Sequence, residues 1–286
     1  MSDRLQVRKT YKLYMGGKFP RSESGRSYLV TSPKGAPLAN ASKASRKDVR
    51  DAVAAARKAQ SGWEGANAYL RGQILYRVAE MLEGRRDQFV SEVVDATGWS
   101  KKNATASVDT ATDRLVHYAG WTDKVTQVFG GANQVNGSFF NHSTAMATGV
   151  VGIVAPQEDP LLGLVSVVAP AIATGNTAVV VTSYERALPA MSFGEVLATS
   201  DLPGGVVNLL SGDPAELTPW LASHADINAL DLTGTTEDVA REGEIAAAET
   251  LTRVVRPEPE DFTAHPGTRR LRSFIEYKTV WHPAGT

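Results

Sequence analysis

Among its 286 residues the chain has no cysteine. That excludes disulfides, cysteine-ligated zinc, iron–sulfur clusters and a cysteine nucleophile. It has no excess of either charge: 30 Lys and Arg stand against 31 Asp and Glu, for a net charge of −1. Nothing global therefore draws it to nucleic acid or to an anionic membrane. It has no long apolar run either, because residues 161–173 are interrupted by Gly163, Ser166 and Pro170 and are too few to span a bilayer. The first ten residues, MSDRLQVRKT, lack the apolar core of a secretory signal, so a cytoplasmic location is expected. The five histidines include no i,i+4 pair of the kind that binds metal, and no metal site is expected. What is present is a composition 42% hydrophobic, enough for one large domain or two modest ones with a real core.

Residues 11–21 read as a small hairpin, with Gly16-Gly17 supplying the positive φ of a tight turn, and residues 22–44, rich in Ser, Gly and Pro, as irregular chain. Ser45-x-x-Asp48 is a capping pattern opening a helix over 47–60, with Val49, Val53 and Ala56 on one face. Apolar spacing of three and four predicts further helices over 69–83, 86–97 (stopped at Gly98) and 104–122. Residues 130–148 read as two exposed strands around Asn136-Gly137 or Asn141-His142.

From Gly149 onward, strands alternate with helices. Strands are predicted at 150–154, 178–181, 206–210, 227–232 and 251–255, with helices between them. The uninterrupted apolar run of the first is that of a strand covered on both faces. This is an α/β pattern: a doubly wound parallel sheet with right-handed crossovers. Residues 256–267 carry Pro257, Pro259 and Pro266 and read as a linker, and residues 273–282 as a last strand too distant in sequence to be an obvious member of the sheet. A terminal apolar strand is a liability unless something pairs with it.

The segment GVVGIVAPQEDPLLGLVSVVAPAIATGNTAVVV, starting at Gly149, resembles the NAD(P)-binding half of the aldehyde dehydrogenase superfamily. Four further collinear pieces agree: LPGGVVNLLSGD from Leu202, Leu232-Thr-Gly-Thr-Thr236 in the manner of the family's Phe-Thr-Gly-Ser-Thr turn, the helix DVRDAVAAARKAQSGW, and HYAGWTDK from His117. IEYKTVWHPAG from Ile275 resembles the family's C-terminal oligomerisation strand. The implied organisation is a Rossmann-like cofactor-type domain over residues 1–255 with an oligomerisation hairpin inserted at 134–148, a Pro-rich linker at 256–270, and the oligomerisation strand at 271–286. Between the Thr-Gly-Thr-Thr turn and that strand a family member carries its catalytic domain; here about forty residues bridge the gap.

The resemblance also states which chemistry to look for, and most of it is missing. The family's thiolate has no counterpart. Glu158 stands where the family's Pro-Trp-Asn-Phe-Pro loop carries its oxyanion-holding Asn, and a carboxylate repels a developing oxyanion. No Glu-Leu-Gly-Gly follows the last strand, so the general base is absent. The family's Lys-Pro-Ser-Glu, which holds the adenosine ribose, aligns with Val181-Thr182-Ser183-Tyr184. Thr233, Gly234, Thr235 and Thr236 keep the form of the pyrophosphate turn, at a helix start that still favours anions; with Ser183 they are the candidate cofactor-binding residues of a degenerate site. Glu158-Asp159 reads either as an acid–base pair or as plain solvated acids before a helix N-terminus, where the dipole favours them.

These observations imply a catalytically inactive subunit that docks on a full-length NAD-dependent aldehyde dehydrogenase, similar to the dead second domain of two-domain members, with no cofactor bound tightly and NAD(P) in the partner. Phe139, Phe140, Phe274, Ile275, Tyr277, Val280 and Trp281 are the expected oligomerisation residues, unpaired without such a partner. Two alternatives stay open: a sensor of NAD(P) or a small anion without chemistry, and a component that shapes a site or channel within an aldehyde-oxidising complex.

Overall fold

The computed structural model describes residues 8–284. The first element among the described residues is strand β1 (Thr10–Tyr11), followed by the turn predicted at Gly16-Gly17, whose φ angles are 58° and 76° and which is closed by paired Met15 and Lys18 backbone bonds. Residues 22–44 depart from the expectation of irregular chain. They hold β2 (Ser27–Thr31) and β3 (Pro37–Ser42), antiparallel to each other, with β1 parallel to β3. The inward positions are Val30, Ala39 and Ala41. Two of the three are alanines set among Ser and Pro, so the period-two signal is nearly silent.

Four helices follow: α1 (Arg46–Gly65), α2 (Ala68–Glu83), α3 (Arg86–Thr97) and α4 (Lys101–Ala119). The capping box is formed, Ser45 accepting from the Asp48 N–H and Asp48 from the Ser45 N–H at 2.8 Å. Asp48 also takes a bond from the Ser22 hydroxyl, 2.6 Å, which fixes the preceding segment to the helix. Gly98 ends α3 in the left-handed region, as read. A short α5 (Val125–Phe129) leads to β4 (Gly131–Asn133) and β5 (Phe139–Ala147), so the intervening turn contains Asn136-Gly137, and Asn141-His142 lies within a strand.

The βαβ series is present as predicted: β6 (Val150–Val154), α6 (Leu162–Ala173), β7 (Thr177–Val181), α7 (Ala187–Ala198), β8 (Val207–Leu210), α8 (Pro214–Ala222), β9 (Ala229–Asp231), α9 (Glu237–Ala248) and β10 (Arg253–Val255). The five strands form one parallel sheet in the order β10-β9-β6-β7-β8, a Rossmann-like arrangement. β6 and β7 are buried along their whole length. α6 and α7 cover one face, with α2, α3 and α4 as a further layer; α1 and α8 cover the other. Trp63, at the end of α1, reaches across this core and donates from Nε1 to the Ile172 carbonyl at 2.9 Å.

Beyond β10 the chain is irregular until α10 (Arg269–Ser273), then ends in β11 (Ile275–Pro283). The expected linker therefore stops at the start of a helical turn. β11 is not unpaired. It runs antiparallel to β5 of the same chain over nine residue pairs, Ile275 opposite Ala147 to Pro283 opposite Phe139, and makes a third sheet, of order β11-β5-β4, beside the five-stranded sheet and the β1-β3-β2 sheet. The expectation that this strand lacks a partner within the chain is thus overturned for one of its edges. Asn176 joins this sheet to the five-stranded one: its Oδ1 accepts from the Gly149 N–H (2.8 Å), and its Nδ2 donates to the carbonyls of Ala171 (3.1 Å) and Phe274 (2.8 Å). Among the described residues no helix is long and apolar enough to cross a membrane.

Candidate functional site

Strands β6, β7 and β8 progress toward one edge of the sheet, and β9 and β10 toward the other. The connections leaving β6 and β9 therefore diverge, which is where α/β sheets hold ligands. A cleft of about 300 Å³ lies at the carboxyl ends of the strands, lined by Gln157, Glu158, Ser183, Tyr184, Glu185, Arg186, Asp213, Gly234, Thr235, Thr236 and Val239, among others.

The loop after β6 is stitched to the loop after β7. The Gln157 side chain donates to the Ala155 carbonyl (2.6 Å) and accepts from the Tyr184 N–H (3.0 Å), while the Gln157 carbonyl accepts from the Ser183 hydroxyl (2.9 Å) and from Arg186 (2.8 Å). Glu158 sits exposed on the rim and pairs with Arg186 at 2.7 Å. Asp159 turns inward, where it accepts from the N–H groups of Leu161 and Leu162 and from the Ser107 hydroxyl. Burial raises the Asp159 carboxyl above its ordinary range even so. The two acids are therefore not a pair: one is a rim ion pair and the other ties down the start of α6.

Val181, where a ribose-binding lysine is expected, is wholly buried in the sheet. Tyr184, where the glutamate is expected, stacks on Tyr28 with ring centroids 4.5 Å apart, and the Tyr28 hydroxyl donates to the Tyr184 carbonyl at 2.9 Å. Burial, with Tyr184 next in weight, raises the Tyr28 phenol and keeps it a neutral donor.

The Thr233–Thr236 turn divides. Gly234 donates to the Val154 carbonyl at 2.9 Å, and a Cβ there would overlap the Ala155 carbonyl oxygen, so only glycine fits. Thr235 donates its hydroxyl to the Leu232 carbonyl (2.7 Å), and Thr236 stands at the N-cap position of α9, whose first turn carries Glu237 and Asp238. Thr233 faces elsewhere. Its N–H and hydroxyl both bond Asp231, and its Oγ1 accepts from Arg270 at 3.1 Å.

Arg270 belongs to a buried ionic cluster that sequence reasoning missed. It meets Asp231 at 2.7 Å, with side-chain exposures of 3% and 0%, and also holds Glu260. Burial disfavours the charged guanidinium, but Asp231 and then Glu260 hold its pKa above the ordinary value. The available signal was Asp231 itself, a carboxylate inside the apolar run Ala-Leu-Asp-Leu, which cannot be buried without a cation.

The seven expected oligomerisation residues separate into two groups. Phe274 and Ile275 are core residues of this chain, 0% and 2% exposed. They belong to the main hydrophobic core, so they are corrected from surface to interior. Phe139, Phe140, Tyr277, Val280 and Trp281 are 46%, 55%, 55%, 37% and 56% exposed. The bonds from Thr148 N to Phe274 O and from Ala284 N to Ser138 O define the ladder's parity, so even-numbered residues of β11 bond to β5. The backbone groups of Tyr277, Thr279 and Trp281 therefore point to the open edge. Phe139, Tyr277 and Trp281 occupy one face of this ribbon, with Phe139 and Trp281 edge to face at 5.7 Å; Phe140 and Val280 occupy the other.

The aldehyde dehydrogenase family model matches residues 19–256. Aldehyde dehydrogenase family 2 member B4, mitochondrial, of Arabidopsis thaliana is 32% identical over 237 residues, which are 82% of this chain and 43% of that protein. Retinal dehydrogenase 2 of Gallus gallus is 32% identical over 257 residues, 87% of this chain and 48% of that protein. Among solved structures, HpcC from Thermus thermophilus superposes with a TM-score of 0.82 at 28% identity, covering 86% of this chain and 47% of that one. PnpE from Pseudomonas sp. WBC-3 gives 0.82 at 27%, covering 86% and 50%. The chain thus spans about half the length of these relatives. It belongs to the aldehyde dehydrogenase family.

Proposed function

We propose that this chain performs no aldehyde oxidation of its own and acts as a docking subunit, adding its β11 edge to a full-length NAD-dependent aldehyde dehydrogenase that it stabilises or regulates. The observation that carries this reading is the ribbon of β5 and β11: an open strand edge flanked on both faces by exposed aromatic and β-branched side chains. Such an edge recruits another strand through its free N–H and C=O groups, and the large apolar side chains give the pairing its hydrophobic component.

The absence of cysteine supports the non-catalytic half of the proposal, since no thiolate can attack a carbonyl. The cleft supports it too, because its residues fit a dinucleotide poorly. Glu158, Glu185 and Asp213 line it against a single cation, Arg186, which is already committed to Glu158 and the Gln157 carbonyl. Glu237 and Asp238 occupy the first turn of α9 and use up the favourable end of its dipole. A pyrophosphate brought here meets carboxylates, and the ribose site holds the Tyr28–Tyr184 stack. Titration calorimetry with NAD and with NADP should give no saturable heat below about 1 mM. A micromolar isotherm abolished by Thr236→Glu would restore the dinucleotide-sensor reading.

Docking is tested by mild affinity purification of the tagged chain from its native host. A full-length aldehyde dehydrogenase in fixed ratio is expected; a chain recovered alone or only with itself would overturn the proposal. Deleting the whole tail is a poor companion test, because it strips Phe274 and Ile275 from the core. Thr279→Pro is better. It removes one outward N–H from the edge and leaves the ladder to β5 intact. The complex should weaken at least ~100-fold, about 2.7 kcal/mol, with thermal stability of the free chain little changed. Full binding by the variant would remove the strand edge from the interface.

A further inference from the structure

Residues 256–268 are irregular but not free: they lie across α4. Arg114, on α4 and 5% exposed, donates to the carbonyls of Phe262 and Ala264, the latter at 2.9 Å, and the Phe262 ring packs on the main core. Next to this contact two histidines face each other. His117 of α4 and His265 of the strap have ring centroids 5.2 Å apart at 88°. Each ring has one nitrogen in a defined setting. The Nε2 of His117 is buried with no hydrogen-bond partner. The Nδ1 of His265 accepts from the Gly267 N–H at 3.2 Å, closing the strap's last turn.

We propose that residues 256–268 form a proton-released clasp over α4, closed while the buried His117 ring under the strap is neutral and opened when it carries a proton. Protonation of His117 adds a charge that burial already opposes, next to His265 and Arg114. The charged side chain that acts on His117 besides His265 is Arg114 on α4, which in turn acts on Glu260 and Asp261 of the strap. The acids are already engaged: Glu260 holds Arg270 and Arg269, and Asp261 holds the Thr263 N–H and hydroxyl. Neither is a free counter-charge for an imidazolium at His117.

The sign follows from the His117 shift. Its folded-state pKa is lowered, mainly by burial and next by His265, so its contribution to the closed form is complete above the ordinary histidine value. That contribution is lost as pH falls below about 6.5 and through the folded pKa. The ends of the strap stay anchored, by β10 pairing on one side and by Arg270 on Asp231 on the other. Opening therefore uncovers the Arg114 and Tyr118 face of α4 without releasing β11.

The test is amide hydrogen exchange on the isolated full chain at pH 7.5 and 5.5, each corrected for the intrinsic rate, so its outcome does not depend on whether β11 finds a partner. Peptides covering residues 258–268 should lose protection at least ~10-fold at the lower pH while β6 and β7 keep theirs. His117→Gln should remove most of that dependence, and His265→Gln, at an exposed position and still able to accept from Gly267, should leave the protection at pH 7.5 unchanged. Equal protection at both pH values would overturn the clasp, as would a dependence that survives His117→Gln. A simultaneous loss in β6 and β7 would also overturn it, because it marks general acid unfolding.

Discussion

Arg270→Met should lower the melting temperature by about 10 °C. The substitution leaves the Asp231 carboxylate, wholly buried, with only the Thr233 N–H and hydroxyl as partners. Removing one member of a buried ion pair costs about 3–5 kcal/mol, because the other charge stays desolvated and unpaired. In a domain of this size each kcal/mol shifts the melting temperature by roughly 2–4 °C. Asp231→Asn should cost less, since the amide still accepts from Thr233. The double variant should recover much of the loss, as replacing a whole buried pair by neutral groups is often nearly neutral. Thermal unfolding of the four proteins by circular dichroism gives the cycle directly. A shift below about 2 °C for Arg270→Met would show that the cluster does not hold the tail to the sheet. Glu260 adds an acid limb: it is partly buried, which raises its pKa, but Arg270 outweighs burial and depresses it. Its contribution is present above the ordinary glutamate range and is lost as pH falls through the lower folded value.

The same cluster shows where sequence reasoning stops. The parallel strands were legible because β6 and β7 are buried on both faces and so read as unbroken apolar runs, while α1 carries its periodicity with its cap written beside it at Ser45 and Asp48. Local grammar of this kind needs no knowledge of the partner. The β2–β3 pair was not legible, because its inward alanines make no contrast with the Ser and Pro around them. Pairing of β11 with β5 spans 128 residues between Ile275 and Ala147 and leaves no local sign at either strand. The Asp231–Arg270 contact is the converse case, in which the need for a partner could be read from one residue but not the partner's position 39 residues on. In the cleft, the substitutions at Glu158, Val181 and Tyr184 were legible one by one. What they build together was not: a loop stitched by Gln157 and, beside it, Tyr184 stacked on Tyr28.

Asn176→Ala should be the most damaging uncharged substitution, at about 3 kcal/mol, and its effect should reach the tail. The side chain is fully buried and makes bonds that no neighbour replaces in full. Truncation leaves the Gly149 N–H with no acceptor, takes one donor from the Phe274 carbonyl, which keeps only a 3.3 Å bond from Thr148, and opens a small polar void beside Thr174. Each buried group left unsatisfied costs about 1–3 kcal/mol, so the total is a large fraction of a marginal stability. Because Gly149 begins the central strand and Phe274 precedes β11, the loss is shared by two elements far apart in sequence. Denaturant unfolding should show a lower midpoint with an unchanged slope, and hydrogen exchange should show faster opening at the base of β11 than in β7. If β11 kept its full protection while the midpoint fell, Asn176 would serve the Rossmann-like sheet alone. If both fell together, the open edge of β11 is held in place from inside the domain, and β11 and the Rossmann-like sheet act as one mechanical unit.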